Sequence, residues 1–105
     1  MGSQTSDRVE RMILEAIDES LSILGDKGKE AVYYFLEREY CVNKEDIPKN
    51  LKTFLECLRL VFGVGANIIE KYILNNLRKR ACLELELDYS LNLMETVERI
   101  KVEIK

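Results

Sequence analysis

The sequence contains no histidine, so it lacks the side chain most often used for acid–base catalysis and metal binding at neutral pH. Its three cysteines, Cys41, Cys57 and Cys82, are odd in number and lack C-x-x-C spacing, which argues against a disulfide framework or a zinc site. Unpaired cysteines of this kind usually act as small buried apolar residues in proteins of a reducing compartment. We therefore expect a cytoplasmic protein without a metal ion or other cofactor.

The sequence also lacks long apolar runs: none approaches the roughly 20 residues that cross a membrane. The first residues show no basic segment followed by an apolar one, as a secretion signal would. No contact with a membrane is expected. The net charge of −3 disfavours general nucleic-acid binding, which needs local positive charge.

A length of 105 residues, 47% of them hydrophobic, suffices for one domain with one core. We predict a disordered tail over residues 1–6 and a single helical domain over 7–105. Asp7 and Glu10 have the spacing of a capping box, which predicts a first helix from Asp7 to about Leu24. Gly25 follows where a left-handed residue often ends a helix.

The apolar residues of this first helix cover an arc of about 200°, twice the stripe that a surface helix needs. The second apolar side faces either another helix of the same chain or a partner chain. Leu14 and Leu21 lie on that side, so they are candidates for a partner interface. Tyr33 and Tyr34, beside the apolar face of a second helix predicted over 29–40, are further candidates, although boundary packing with the hydroxyls at water is the favoured explanation.

Three more helices follow from apolar spacing. One begins after the N-cap candidate Asn50 and ends at Phe62, and the next runs from about Gly65 to Ala81 as the central element. A last helix is predicted after a Ser90 cap. Residues 83–89 alternate apolar and charged side chains, as a short strand or an extended connector does. The fold class is thus all-α, a compact bundle of four or five helices.

Three groups of residues are candidates for chemistry. Gly63 and Gly65, before a helix, form either an anion site or a tight structural corner; no strand precedes them and no phosphate-loop motif follows, so we favour the corner. Basic residues gather near the end of the fourth helix, where they suit either a nucleic-acid surface or the negative end of the helix dipole: Lys71, Arg78, Lys79 and Arg80. The carboxylates Glu15, Asp18 and Glu19 share one face of the first helix, where solvated charge is the ordinary explanation.

One resemblance covers roughly residues 9–102. The segment Ile13-Leu14-Glu15-Ala16-Ile17 and the segment Phe62-Gly63-Val64-Gly65-Ala66-Asn67-Ile68-Ile69-Glu70 resemble the archaeal family called the Nitrosopumilus output domain, and the similarity extends weakly into residues 93–98. The best motif is the helix-closing Phe-Gly, then a Gly-Ala helix start and an Ile-Glu pair. The resemblance implies a small helical module of archaeal signalling proteins, proposed as an output domain, with no known catalytic residue.

These observations predict a non-catalytic binding or output module of an archaeal-type signalling system that acts through helical protein–protein contacts as a homodimer. The alternative is a transcriptional regulator that binds nucleic acid with the basic end of the fourth helix. An enzyme is not expected.

Overall fold

A computed structural model describes residues 4–81 and 91–103. Within these ranges it is all-α and contains no strand, which confirms the predicted fold class. Over the described residues the five α-helices are α1 (Gln4–Leu21), α2 (Gly25–Tyr40), α3 (Leu51–Phe62), α4 (Ala66–Ala81) and α5 (Leu93–Glu103), and short 3-10 segments occupy Ser22–Leu24, Lys44–Lys49 and Gly63–Gly65. The predicted extended segment 83–89 lies outside the described residues. None of the described helices is both long and apolar enough to pass through a bilayer.

The N-terminus of α1 differs from the prediction. The helix begins at Gln4, so Asp7 lies inside it and is not the N-cap, and residues 4–6 are helical rather than part of a tail. The spacing of Asp7 and Glu10 is also compatible with the first turns of a helix. Acidic residues are common there because they interact favourably with the helix dipole.

The start of α2 was predicted four residues too late. The helix begins at Gly25, whose φ of +80° turns the chain between the 3-10 segment and α2. Gly28 then lies inside α2, where glycine normally lowers helix stability. A Cβ at Gly28 would lie 2.7 Å from Cβ of Leu24, so the close passage of the Leu24 side chain requires a glycine there.

The segment from α2 to α3 is more ordered than a plain connector. Val42, Ile47 and Pro48 are buried, and they attach the 3-10 segment 44–49 to the core. Asn50 does occupy the N-cap position of α3, since its carbonyl accepts the N–H of Phe54 at 3.0 Å. Its side chain does not cap the helix but donates to the carbonyl of Asp46.

The core forms around α1 and α4, which make the most extensive helix–helix contact of the described chain. α1 also contacts α2, α5 and the 44–49 segment, and α4 contacts α3 and α5. This arrangement explains the broad apolar arc of α1, and it confirms α4 as a central element. The largest fully buried side chains are Phe54, Ile13, Ile17, Leu21, Leu36, Ile47, Leu58, Ile73, Leu77, Leu93, Ile100 and Val32.

A true capping box begins α5. The side-chain oxygen of Asn92 accepts the N–H of Glu95 at 2.8 Å, and the Glu95 carboxylate accepts the N–H of Asn92 at 3.1 Å. The N-cap is therefore Asn92 rather than the predicted Ser90. Asn92-Leu93-Met94-Glu95 has the signature spacing, so the signal was present in the sequence two residues further on.

Candidate functional site

The four residues predicted to contact a partner do not form one surface. Leu21 is 0% exposed and belongs to the core, so its assignment to an interface was wrong. Leu14 is partly buried against the same core. The physical reason is that α1 is enclosed by α2, α4, α5 and the 44–49 segment of its own chain, which cover both sides of its apolar arc.

The two tyrosines differ in their surroundings. Tyr34 is 62% exposed and accepts a hydrogen bond from Arg38. Tyr33 is partly buried, and its hydroxyl donates to Asp18 Oδ1 at 3.0 Å rather than to water. Burial and this bond raise the pKa of the Tyr33 phenol. Tyr33 is therefore a structural residue, and only Tyr34 remains available to a partner.

Asp18 is the centre of a small ionic cluster. It pairs with Lys29 of α2 at 3.1 Å and with Lys44 at 3.3 Å, and the Lys44 ammonium lies 5.1 Å from the centre of the Tyr33 ring. Partial burial raises the pKa of the Asp18 carboxyl, but the hydrogen bonds from Lys29, Tyr33 and Lys44 outweigh it and leave that pKa below its ordinary value. The cluster thus stabilises an ionised Asp18 and joins α1, α2 and the 44–49 segment.

The other two carboxylates of the α1 face, Glu15 and Glu19, both pair with Arg80 of α4. All three carboxylates are thus engaged by cations of neighbouring elements, which indicates a structural role. Over residues 4–81 and 91–103, no group of three or more potential ligands is arranged to hold a metal ion.

The basic group at the end of α4 is partly neutralised. Arg80 is held by the α1 carboxylates, and Arg78 donates to the carbonyl of Leu91 at 3.0 Å, which fixes the chain before α5. Lys71 and Lys79 are exposed. Two of the four residues predicted to bind nucleic acid, Arg78 and Arg80, are therefore engaged by groups of the same chain.

The glycine corner, Gly63–Gly65, is the turn that joins α3 to α4. Gly63 ends α3 with φ +58° and ψ −131°, a conformation that favours glycine, and residues 63–65 make one 3-10 turn before α4. Gly65 does not mark a close approach between chain segments, because a Cβ there would lie 3.8 Å from Cβ of Phe62, an ordinary contact. The space around position 65 therefore does not require a glycine there.

The feature that sequence reasoning missed is an apolar groove between the N-terminal half of α2 and the C-terminal end of α3. This α2–α3 groove has a volume of about 440 Å³ and is lined by Gly28, Ala31, Val32, Phe35, Leu60, Val61 and Phe62. Leu60 is 66% exposed at its edge, and Val64, just after α3, is 88% exposed. A signal was present: Leu60 is apolar yet falls outside the core stripe of α3.

A second depression, between the end of α1 and α4, is more polar. Ile23 and Tyr72 border it, and Asn76 on its wall donates to the hydroxyl of the buried Ser20 at 2.7 Å. Ser20 in turn donates to the carbonyl of Ala16. These bonds satisfy the buried hydroxyl and tie α1 to α4, which is a structural function.

No protein-family model matches this chain, and neither does any curated protein or solved structure. The resemblance to the archaeal output-domain family therefore stays a prediction from the residues.

Proposed function

We propose that this chain is a non-catalytic binding module that acts through helical protein–protein contacts as a homodimer. Its setting is the cytoplasm, as an output domain of an archaeal-type signalling system. The α2–α3 groove supports this function, because its lining is apolar and large apolar side chains remain exposed at its edge. Contiguous exposed apolar surface of this kind is typical of interaction sites.

The charged groups support the same proposal. Catalytic carboxylates usually lie in a cleft and have raised or unequal pKa values. Asp18 instead has a lowered pKa and is surrounded by donors, and Glu15 and Glu19 are paired with Arg80. The ion pairs of these groups join α1 to α2, to α4 and to the 44–49 segment.

Nucleic-acid binding, the alternative from the sequence, receives less support. Cations that neutralise phosphates must face outward and lie close together. Glu15 and Glu19 offset the charge of Arg80, and Arg78 is engaged at the carbonyl of Leu91. Lys71 and Lys79 are then the exposed basic residues of the predicted group.

Two measurements on the full chain separate these functions. Sedimentation velocity from low micromolar to submillimolar concentration should show a monomer–dimer equilibrium that changes little with salt. Fluorescence anisotropy with labelled duplex and single-stranded DNA and RNA should show no specific binding. A monomer that binds nucleic acid, with affinity falling steeply as salt rises, would replace this proposal with the alternative.

A further inference from the structure

We infer that the α2–α3 groove binds one amphipathic helix of a partner protein, which places its apolar side chains in the groove and charged side chains at both edges. This inference rests on the proposed function, because it names the chemistry of the partner that the binding module takes. It does not depend on the homodimer. Four observations carry it: the lining of the groove, its volume, the area of its face and the charges at its edges.

The lining of the groove selects apolar side chains of a protein. All of the lining residues are apolar. Sites for polar small molecules place a few hydrogen-bonding groups in the wall to orient the ligand, and this wall has none among its side chains. A partner that adds a β-strand needs an exposed sheet edge, and residues 4–81 and 91–103 contain no strand. An apolar groove between two helices instead suits a partner that binds as an amphipathic helix.

The volume of the groove fits the apolar face of one helix. An apolar cavity of about 150 Å³ holds one benzene-sized group, so the 440 Å³ of the groove hold about three large apolar side chains. A helix presents three such side chains on one face at positions i, i+4 and i+7, over a length of about 10 Å. The α2 wall extends from Gly28 to Phe35, which is the same step of seven residues, so the two lengths match.

The face around the groove is too small for a stable dimer and large enough for one helix. α2 has 16 residues and α3 has 12, so they are about 24 and 18 Å long and present a face of about 400 Å² in projection. Stable complexes of two folded proteins bury about 800 Å² per partner. One helix of four turns is about 20 Å long and 10 Å wide, so it fits on this face. Small interfaces of this class are transient, and we expect a dissociation constant in the micromolar range.

The edges of the groove carry opposite charges at different heights. Lys27 lies one helical turn before Ala31 at the α2 edge, Glu56 lies one turn before Leu60 at the α3 edge, and both are exposed. Because the N-terminal half of α2 lies beside the C-terminal end of α3, the two charges are about two turns apart along the groove. The bound helix therefore has an acidic residue on the flank that faces Lys27. Its basic residue lies about two turns away on the other flank, opposite Glu56.

The first test is a selection of helical peptides on the full chain. The probe is an mRNA-display library of peptides of about 16 residues, with randomised positions in an alanine, glutamate and lysine framework that favours helix. Selected peptides, labelled with a fluorophore, should bind with micromolar dissociation constants in fluorescence anisotropy and should share apolar residues at i, i+4 and i+7. A library that gives no peptide binding below about 100 μM, or only peptides without this spacing, would overturn the inference.

Single variants locate the binding site. Ala31→Glu and Leu60→Glu place a charge on exposed groove residues, so both proteins should fold and should bind the selected peptides at least tenfold more weakly. Ile68→Glu is the matched control, because Ile68 is 60% exposed and lies outside the groove, and it should bind as wild type does. Circular dichroism checks the folding of each variant. Wild-type affinity in either groove variant, or equal losses in all three, would overturn the groove as the site.

Changes in the peptide test its conformation. A proline at the centre of a selected peptide breaks its helix and should abolish binding. The scrambled peptide of the same composition, which spreads the apolar residues over all faces, is the control and should also fail to bind. Unchanged affinity of the proline peptide would show that the groove takes an extended chain, and it would overturn the inference.

A charge exchange tests the orientation of the bound helix. Lys27→Glu should weaken binding about three- to tenfold, and lysine in place of the acidic flank residue of the peptide should restore it. Lys52→Glu makes the same change of charge on α3 outside the groove and should have no effect. Equal affinities of Lys27→Glu and Lys52→Glu would overturn the assignment of the acidic flank to the α2 edge.

Sedimentation velocity separates this inference from the proposed homodimer. Wild-type dimer should persist when a selected peptide saturates the groove. Dissociation of the dimer by the peptide would show that a second copy occupies the groove, and it would overturn the inference while the homodimer stands. A wild type that stays monomeric and binds the peptides at the groove would overturn the homodimer and support the inference.

Discussion

Gly63 has a φ of +58° with a ψ of −131°, a backbone conformation that is accessible to glycine and costly for residues with a Cβ. No heavy atom lies within 4 Å of a Cβ placed there, so the cost of a substitution is conformational rather than steric. Gly63→Val should lower the free energy of unfolding by a few kcal/mol, measured by urea titration, since a β-branched residue is strained at positive φ.

Gly65→Ala is the matched control two residues away. Gly65 is not among the described residues with positive φ, and an added Cβ makes an ordinary contact with Phe62. Alanine there should leave stability unchanged or raise it by up to about 1 kcal/mol by restricting the unfolded chain. Equal stability of the two variants would contradict the role assigned to Gly63.

The cysteines show how far sequence reasoning reaches at this scale. The place of Cys57 between Phe54 and Leu58 on the apolar face of α3 predicts burial, and Cys57 is 0% exposed, with a thiol pKa raised by burial. Cys41 lies near a helix end, where we expect an accessible side chain, and it is exposed. Its left-handed backbone at the end of α2, with φ +57°, could not be predicted, because no glycine or asparagine marks that position.

Helix caps contribute to the stability of the elements, and α5 begins with a cap that can be tested. Asn92→Ala removes the side-chain acceptor of the Glu95 N–H and should lower the free energy of unfolding by about 1 kcal/mol. Asn92→Asp keeps an oxygen acceptor and adds a negative charge at the helix N-terminus, so it should be as stable as wild type. An Asn92→Ala variant as stable as wild type would show that the cap contributes nothing.

The Asp18 cluster makes the association of α1, α2 and the 44–49 segment dependent on pH. The pKa of Asp18 is lower when folded than its ordinary 3.8, so the ionised carboxylate stabilises the fold above about pH 4. This contribution is lost as pH falls through the folded pKa. Asp18→Asn should therefore cost about 1 kcal/mol at pH 7, and the gap to wild type should close below pH 4.

Urea unfolding at a series of pH values measures this gap. Glu30→Gln removes one negative charge from an exposed site of α2 and serves as the control for net charge. Its gap to wild type should be small and nearly constant with pH. A gap for Asp18→Asn that persists at low pH would mean that the amide disturbs packing and that the ion pairs are not responsible.

At the scale of the whole molecule, the number and order of the helices could be predicted because apolar spacing depends only on local geometry. Their assembly could not. The 200° arc of α1 was compatible with a partner chain, and the contacts of α2, α4 and α5 resolved it in favour of intramolecular packing. The α2–α3 groove was missed for the same reason, since a groove exists only after two helices have packed.

Leu21 and Leu60 provide a matched test of that assembly, because the same side chain occupies opposite environments. Leu21 is fully buried at the end of α1, whereas Leu60 is 66% exposed beside the groove. Leu21→Ala should lower the free energy of unfolding by about 2–5 kcal/mol through lost burial and a cavity. Leu60→Ala should change it by less than about 0.5 kcal/mol in a dilute, monomeric sample. Urea titration of both variants measures the difference, and losses of similar size would show that α1 is not enclosed by its own chain.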